Sequence, residues 1–216
     1  MVTVLVTGFD PFGGEAINPS GEAVKRLDGR EIGGARVVAR ILPATFAGSG
    51  PALGRAIDEV GPDIVIAVGQ ADGRTALSLE RVAINVQDAR IPDNDGAKPV
   101  DEPVVAGGPA AYWTSLPIKA MAAALRQEGI PAEISQTAGT FVCNHLFYSL
   151  AHIIATRRPG LRGGFIHIPL LPEQAARNPA KYASMSLATI VAGLEIAAAA
   201  AVANISDIKV SDGEIA

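Results

Sequence analysis

Short runs of Val, Ile and Leu alternate along this chain with stretches whose apolar positions recur every three or four residues. The runs predict strands over Thr3 to Gly8, Arg36 to Leu42, Asp63 to Val68, Leu79 to Val86, Ala132 to Thr137 and Gly164 to Ile168. The helical spacing predicts helices over Ser20 to Leu27, Gly48 to Val60, Ala111 to Gln127, Asn144 to Arg157 and Met185 to Ala203. Strands that read as continuous apolar runs are covered on both faces, so the pattern predicts an α/β/α sandwich around a central, mainly parallel, twisted sheet. Ligands of such sheets sit at the carboxyl ends of the strands. There the chain carries GFDPFGG, VGQADG and HIPLLPEQ. The Pro-, Gly- and Asp-rich stretch Asp88 to Gly108 reads as a long surface loop, because strong elements flank it closely.

The 216 residues fit a single catalytic domain, 1–216, with a C-terminal tail after about residue 204 that reads as flexible. A net charge of −4 gives no sign of nucleic-acid binding. The single cysteine, Cys143, rules out an internal disulfide and fits a reducing compartment. The N-terminal MVTVLVTGFD lacks the basic segment of a signal peptide. Leu187 to Ile205 is apolar, but it is dominated by alanine and interrupted by Glu195, so it reads as a packed helix rather than a membrane span. Asn204-Ile205-Ser206 matches a glycosylation acceptor, which carries little weight without a secretion signal.

Two features carry chemistry. The loop after the first strand holds two phenylalanines, Phe9 and Phe12, and no lysine, so it does not read as a phosphate cradle. An α/β/α sandwich also hosts nucleoside chemistry, but this chain has neither a P-loop motif nor a basic cluster for phosphate. Cys143 begins a helical stripe continued by Leu146, Phe147, Leu150 and Ile154. That stripe allows a small buried core residue. It also places the sulfur at a helix N-terminus, where free N–H groups and the positive end of the dipole favour a thiolate.

A thiolate nucleophile needs a base within reach. His145 lies two residues from Cys143 on the same helix and faces another way. His152, nine residues on, is about half a turn out of phase. His167 ends a strand at the carboxyl edge and is the remaining partner. The carboxylate that would orient the imidazole is left open by spacing alone: Glu80, Asp10 and Asp72 all qualify. Taken as one strand, Leu79 to Val86 puts Glu80 on a face with Val82, Ile84 and Val86.

Four segments, in order, resemble the type I pyroglutamyl peptidases, a family of cysteine peptidases. They are GFDPFGG with Asn18-Pro19-Ser20, GQADGRTALSLERVAIN, SQTAGTFVCNHLFY and HIPLLPEQ, and the likeness runs over nearly the whole chain. The resemblance implies hydrolysis of the amide bond after an N-terminal pyroglutamyl residue of peptides. It implies no cofactor, no metal, no membrane, a cytoplasmic location and a homo-oligomer, often a tetramer. It assigns Cys143 as nucleophile, His167 as general base and acid, and Glu80 as the group orienting His167. It points to Phe9, Phe12, Asn18, Gln70 and Arg90 at the substrate site. A flat, uncharged lactam suits a slot walled by two aromatic rings.

Overall fold

The structure is a computed structural model that describes residues 1–177 and 183–213. In chain order its elements are β1 (Thr3–Phe9), α1 (Pro19–Lys25), β2 (Glu31–Ile32), β3 (Ala35–Leu42), α2 (Phe46–Val60), β4 (Ile64–Gln70), β5 (Leu77–Glu80), β6 (Val82–Ile84), β7 (Ala111–Trp113), α3 (Ile118–Gln127), β8 (Ala132–Ser135), α4 (Val142–Thr156), β9 (Arg162–Ile168), α5 (Pro172–Ala175) and α6 (Leu187–Ala203). Seven strands form one sheet in the order β2-β3-β1-β4-β9-β5-β8. β3, β1, β4 and β9 run parallel, while β5 pairs antiparallel with β9 and parallel with β8.

Alternation along each strand splits the core in two. Val4, Val6, Ile64, Ile66, Val68, Leu77, Leu79, Ile166 and Ile168 pack on one side with residues of α1, α3 and α6. Leu5, Phe9, Val65, Ala67 and Phe165 pack on the other with residues of α2 and α4. By the same period of two, Gly69, Ser78, Glu80 and His167 share the second side, the side of the cysteine helix. The sandwich read from the apolar runs is therefore present, and its sheet is mainly parallel.

Two expected elements differ. The predicted strand over Leu79 to Val86 is two strands. β5 ends at Glu80, and Val82–Ile84 pairs with β7 in a separate two-stranded sheet. Glu80 therefore does not share a sheet face with Val82 and Ile84. The predicted helix over Ala111 to Gln127 begins only at Ile118, because Pro117 interrupts it and Ala111–Trp113 is the strand β7. The other helices start within two residues of expectation. β2 and α5 have no counterpart in the sequence reading, being too short to show a period.

Several ends are closed by distant side chains. The residue before α3, Pro117, offers no side-chain cap. The carboxylate of Asp207 accepts from the N–H groups of Lys119 and Ala120 at 3.0 and 2.9 Å instead. Asp212, further along the same tail, pairs with Arg126 at 2.9 Å. Residues 214–216 of the expected tail lie outside the described residues. Glu195, the charge within the alanine-rich α6, pairs with Arg30. Among the described residues no helix is long and apolar enough to cross a membrane.

The close seat of α1 on β1 fixes the loop between them. The N–H of Phe9 donates to Ser20 Oγ at 3.0 Å, and a Cβ on Gly8 would stand 2.5 Å from the carbonyl oxygen of Ser20. That neighbour is helix backbone and cannot move cheaply. Gly8→Ala is expected to destabilise the fold by about 1–3 kcal/mol. The measurement is urea unfolding: the midpoint should fall at unchanged m-value, and an unaltered midpoint would mean the helix can shift outward at no cost.

Candidate active site

One cavity of about 530 Å³ opens at the carboxyl ends of β1, β4 and β9. Its lining includes Phe9, Phe12, Asn18, Gln70, Arg90, Cys143 and His167, the residues that the family resemblance points to. Cys143 stands in the first turn of α4. The residue before the helix, Phe141, takes extended backbone angles and supplies no side-chain cap, so the first N–H groups of the helix are left unpaired by it. The sulfur is half-buried rather than sealed in the core.

A missing side chain makes room for it. Gly69 of β4 lies beneath α4, and a Cβ there would come within 2.9 Å of Cys143 Sγ and 2.8 Å of the Phe165 ring. Gly69 is also the register partner of His167 on the neighbouring strand β9. The sulfur thus rests on bare backbone beside the histidine. The quoted VGQADG contained this glycine, but its meaning depends on a helix that arrives more than seventy residues later.

His167 is buried, and its Nδ1 is 2.7 Å from Glu80 Oε1. An ionised carboxylate only accepts, so Nδ1 carries the proton and Nε2 is the free nitrogen. The Phe165 ring leans on the imidazole with centroids 4.8 Å apart. Burial works to lower the His167 pKa, since it disfavours the imidazolium. The charge and hydrogen bond of Cys143, followed by those of Glu80, outweigh burial and push it up to about 9.

Glu80 is fully buried. β5 runs against β9 with Ser78 opposite His167, so Glu80 lies deeper in the sheet than the histidine it reaches. Its second oxygen, Oε2, has no hydrogen-bond partner, and Arg74 Nη2 lies 3.6 Å from Oε1. The rival carboxylates are placed elsewhere. Asp10 accepts from the Ala44 N–H at 2.8 Å, and Asp72 lines the cavity without bonding His167. The other histidines are also committed: His145 Nδ1 to Gln87 at 2.9 Å, and His152 Nδ1 to the Tyr112 hydroxyl at 2.9 Å. Burial pulls the pKa of His145 down to about 4.

The aromatic wall differs in detail from a simple pair. Phe9 is buried in the core and reaches the cavity only at its edge, with 4% exposure. Phe12 is partly exposed and touches Phe141, with centroids 5.3 Å apart and planes at 55°. Phe141 in turn packs edge-on against Phe46. Sequence reading passed over Phe141, although it sits in the quoted TAGTFVCNH. Asn18 caps α1, its Oδ1 accepting from the Ser20 N–H and hydroxyl at 3.1 and 2.8 Å, while Nδ2 donates to the Asp10 carbonyl at 2.9 Å. Of its polar capacity, one amide hydrogen remains for a ligand.

The loop that carries Arg90 and Ile91 to the rim is latched. Buried Asp93 accepts from the N–H groups of Phe46, Asp95 and Ala97 at 2.8, 2.9 and 2.8 Å. Asn94 donates to the Pro11 carbonyl at 2.8 Å. The carboxylate at the start of α2 also meets the positive end of that helix. Among the described residues no three His, Cys, Asp or Glu side chains group as a metal site requires.

A thiol in a cleft, beside a buried histidine whose far nitrogen is held by a carboxylate, is the arrangement of nucleophilic acyl transfer. Comparisons with known proteins agree. The family model for pyroglutamyl peptidase matches residues 2–204. A pyrrolidone-carboxylate peptidase of Erwinia tasmaniensis is 58% identical over 213 residues, 99% of either chain. One from Cupriavidus taiwanensis is 56% identical over the full length of both chains. The crystal structure of pyroglutamyl peptidase I from Bacillus amyloliquefaciens superposes with a TM-score of 0.95 at 53% identity, covering 97% of this chain and 99% of that one. A mutant pyrrolidone carboxyl peptidase from Pyrococcus furiosus gives a TM-score of 0.90 at 45% identity, covering 94% and 99%. With its sandwich fold, its thiol–imidazole–carboxylate line and these likenesses, the chain belongs to the pyroglutamyl peptidase family.

Proposed function

We propose that Cys143, His167 and Glu80 act together to hydrolyse the amide bond after an N-terminal pyroglutamyl residue. The observation that carries this reading is the buried Glu80–His167 hydrogen bond of 2.7 Å in the cavity that also holds the sulfur. The Cys143 proton passes to His167 Nε2, and the thiolate attacks the pyroglutamyl carbonyl carbon. The oxyanion is met by N–H groups of the first turn of α4. The tetrahedral species collapses, the C–N bond breaks, and the amine leaves with the proton from Nε2. Water then gives a proton to Nε2 and attacks the thioester, releasing pyroglutamate and restoring the thiol.

Selectivity comes from charge as much as from shape. The lactam ring is neutral and offers apolar faces to Phe12 and the edge of Phe9. Gln70, whose side chain has no partner among the described residues, and the spare hydrogen of Asn18 suit its polar edge. Arg90, on the rim, assists near the sulfur. An ordinary peptide would have to bury its ammonium group there, at a cost on the order of several kcal/mol without a partner. The whole chain serves as one catalytic domain. The family likeness favours a cytoplasmic homo-oligomer, a tetramer, and the exposed Ile91, Val100 and Trp113 supply apolar surface for such assembly.

The test is release of a fluorophore from pyroglutamyl, prolyl and glutamyl amides. Turnover is expected for the pyroglutamyl amide alone and should vanish in Cys143→Ser; equal turnover of the prolyl amide would remove the selectivity argument. In the pH profile, kcat/KM should fall as pH rises through about 9, where His167 loses the proton it gives to the leaving amine. Glu80→Gln removes one of the causes that raise this pKa. It should therefore move the alkaline limb to lower pH and reduce kcat by about 10²-fold; an unmoved limb would assign the orienting role to another group. Phe12→Ala should raise KM about tenfold, the equivalent of about 1.4 kcal/mol of lost apolar contact. Alkylation of Cys143 by iodoacetamide should keep its rate in that variant, and a slower rate would mark Phe12 as structural.

A further inference from the structure

We infer that Arg74 is a positioning residue for this reaction, acting through Glu80; the inference rests on the catalytic reading above. Glu80 is fully buried, and its Oε1 faces two cations among the described residues: His167 at 2.7 Å and Arg74 Nη2 at 3.6 Å. The two differ over the catalytic cycle. His167 is charged while it holds the thiol proton and neutral once it has passed that proton to the leaving amine. Arg74 stays charged throughout. A buried carboxylate facing only a neutral ring is costly, and Glu80 Oε2 has no hydrogen bond to offset it. Arg74 supplies the charge that keeps Glu80 an acceptor for Nδ1–H in both halves of the cycle.

The guanidinium is fixed for this task. Nη1 lies 3.0 Å from Glu133 Oε1, and Nη2 donates to Ser135 Oγ at 3.0 Å and to the Thr137 carbonyl at 3.1 Å. Glu133 also accepts from Ser78 Oγ at 2.6 Å. Its side chain is 44% exposed, so water screens its claim on Arg74 more than it screens the enclosed Glu80. Ser135 ends β8, and Thr137 lies on the segment that leads into α4. One side chain therefore ties the carboxylate strand to the approach of the nucleophile's helix.

A double-mutant cycle tests the role on a pyroglutamyl amide, using Arg74→Met, Arg74→Lys, Glu80→Gln and the Met–Gln double variant. Arg74→Met should lower kcat about tenfold with KM within about twofold, and Arg74→Lys should recover most of the loss. In the Glu80→Gln background, Arg74→Met should cost less than about twofold more. Should Arg74→Met not fold, Arg74→Lys is read the same way, as a partial loss that disappears in Glu80→Gln. Equal losses in both backgrounds, a rise in KM at constant kcat, or no recovery by lysine would overturn the role of Arg74 and leave the triad intact. Full activity of Glu80→Gln on its own would overturn the triad and this inference together.

Discussion

The whole site depends on one hydrogen bond, from His167 Nδ1 to a Glu80 carboxylate with no exposure to water. It fixes the tautomer, and so it decides which nitrogen faces the sulfur. It also raises the proton affinity of a ring whose burial works the other way. A carboxylate in the interior is tolerated only because cations meet it there. The neighbouring features follow from this constraint. Phe165 leans on the ring, Gly69 clears space for the thiol, and Arg74, in the turn before β5, brings a guanidinium within 3.6 Å of the carboxylate.

Sheet parity explains how such distant residues converge. Odd and even positions of each strand pack into two separate cores, and both Glu80 and His167 fall on the side covered by α2 and α4. The loops at the carboxyl edge then add the rest of the cavity wall. Their rigidity comes from short polar latches, with Asp93 and Asn94 binding the rim loop to the start of α2 and to Pro11. The cavity wall is thereby held by hydrogen bonds within the chain.

Much of this was legible in the sequence. The inner strands β1, β3, β4 and β9 carry Val, Ile, Leu or Phe, and their limits fell within two residues of expectation. Cys143 and His167 could be paired from a helix start and a strand end alone. Glu80 could not, because its partner is set by the antiparallel register of β5 on β9, 87 residues away. Periodicity also ran misleadingly past Arg81, where the chain keeps an alternating pattern but changes sheet. The helix predicted from Ala111 ignored Pro117 and absorbed β7, a strand too short to show its own period. Gly69, Arg74 and Phe141 went unread for a shared reason: each acquires its meaning only from neighbours supplied by another element.

The antiparallel insertion of β5 beside β9 has a consequence for the newly made chain. Cys143 sits on a helix of local contacts, whereas His167 and Glu80 meet only through a long-range strand pairing. Until that edge of the sheet zips up, the sulfur has no aimed imidazole to take its proton. The thiol, the imidazole and the carboxylate are therefore brought together only in a chain whose β5 has paired with β9.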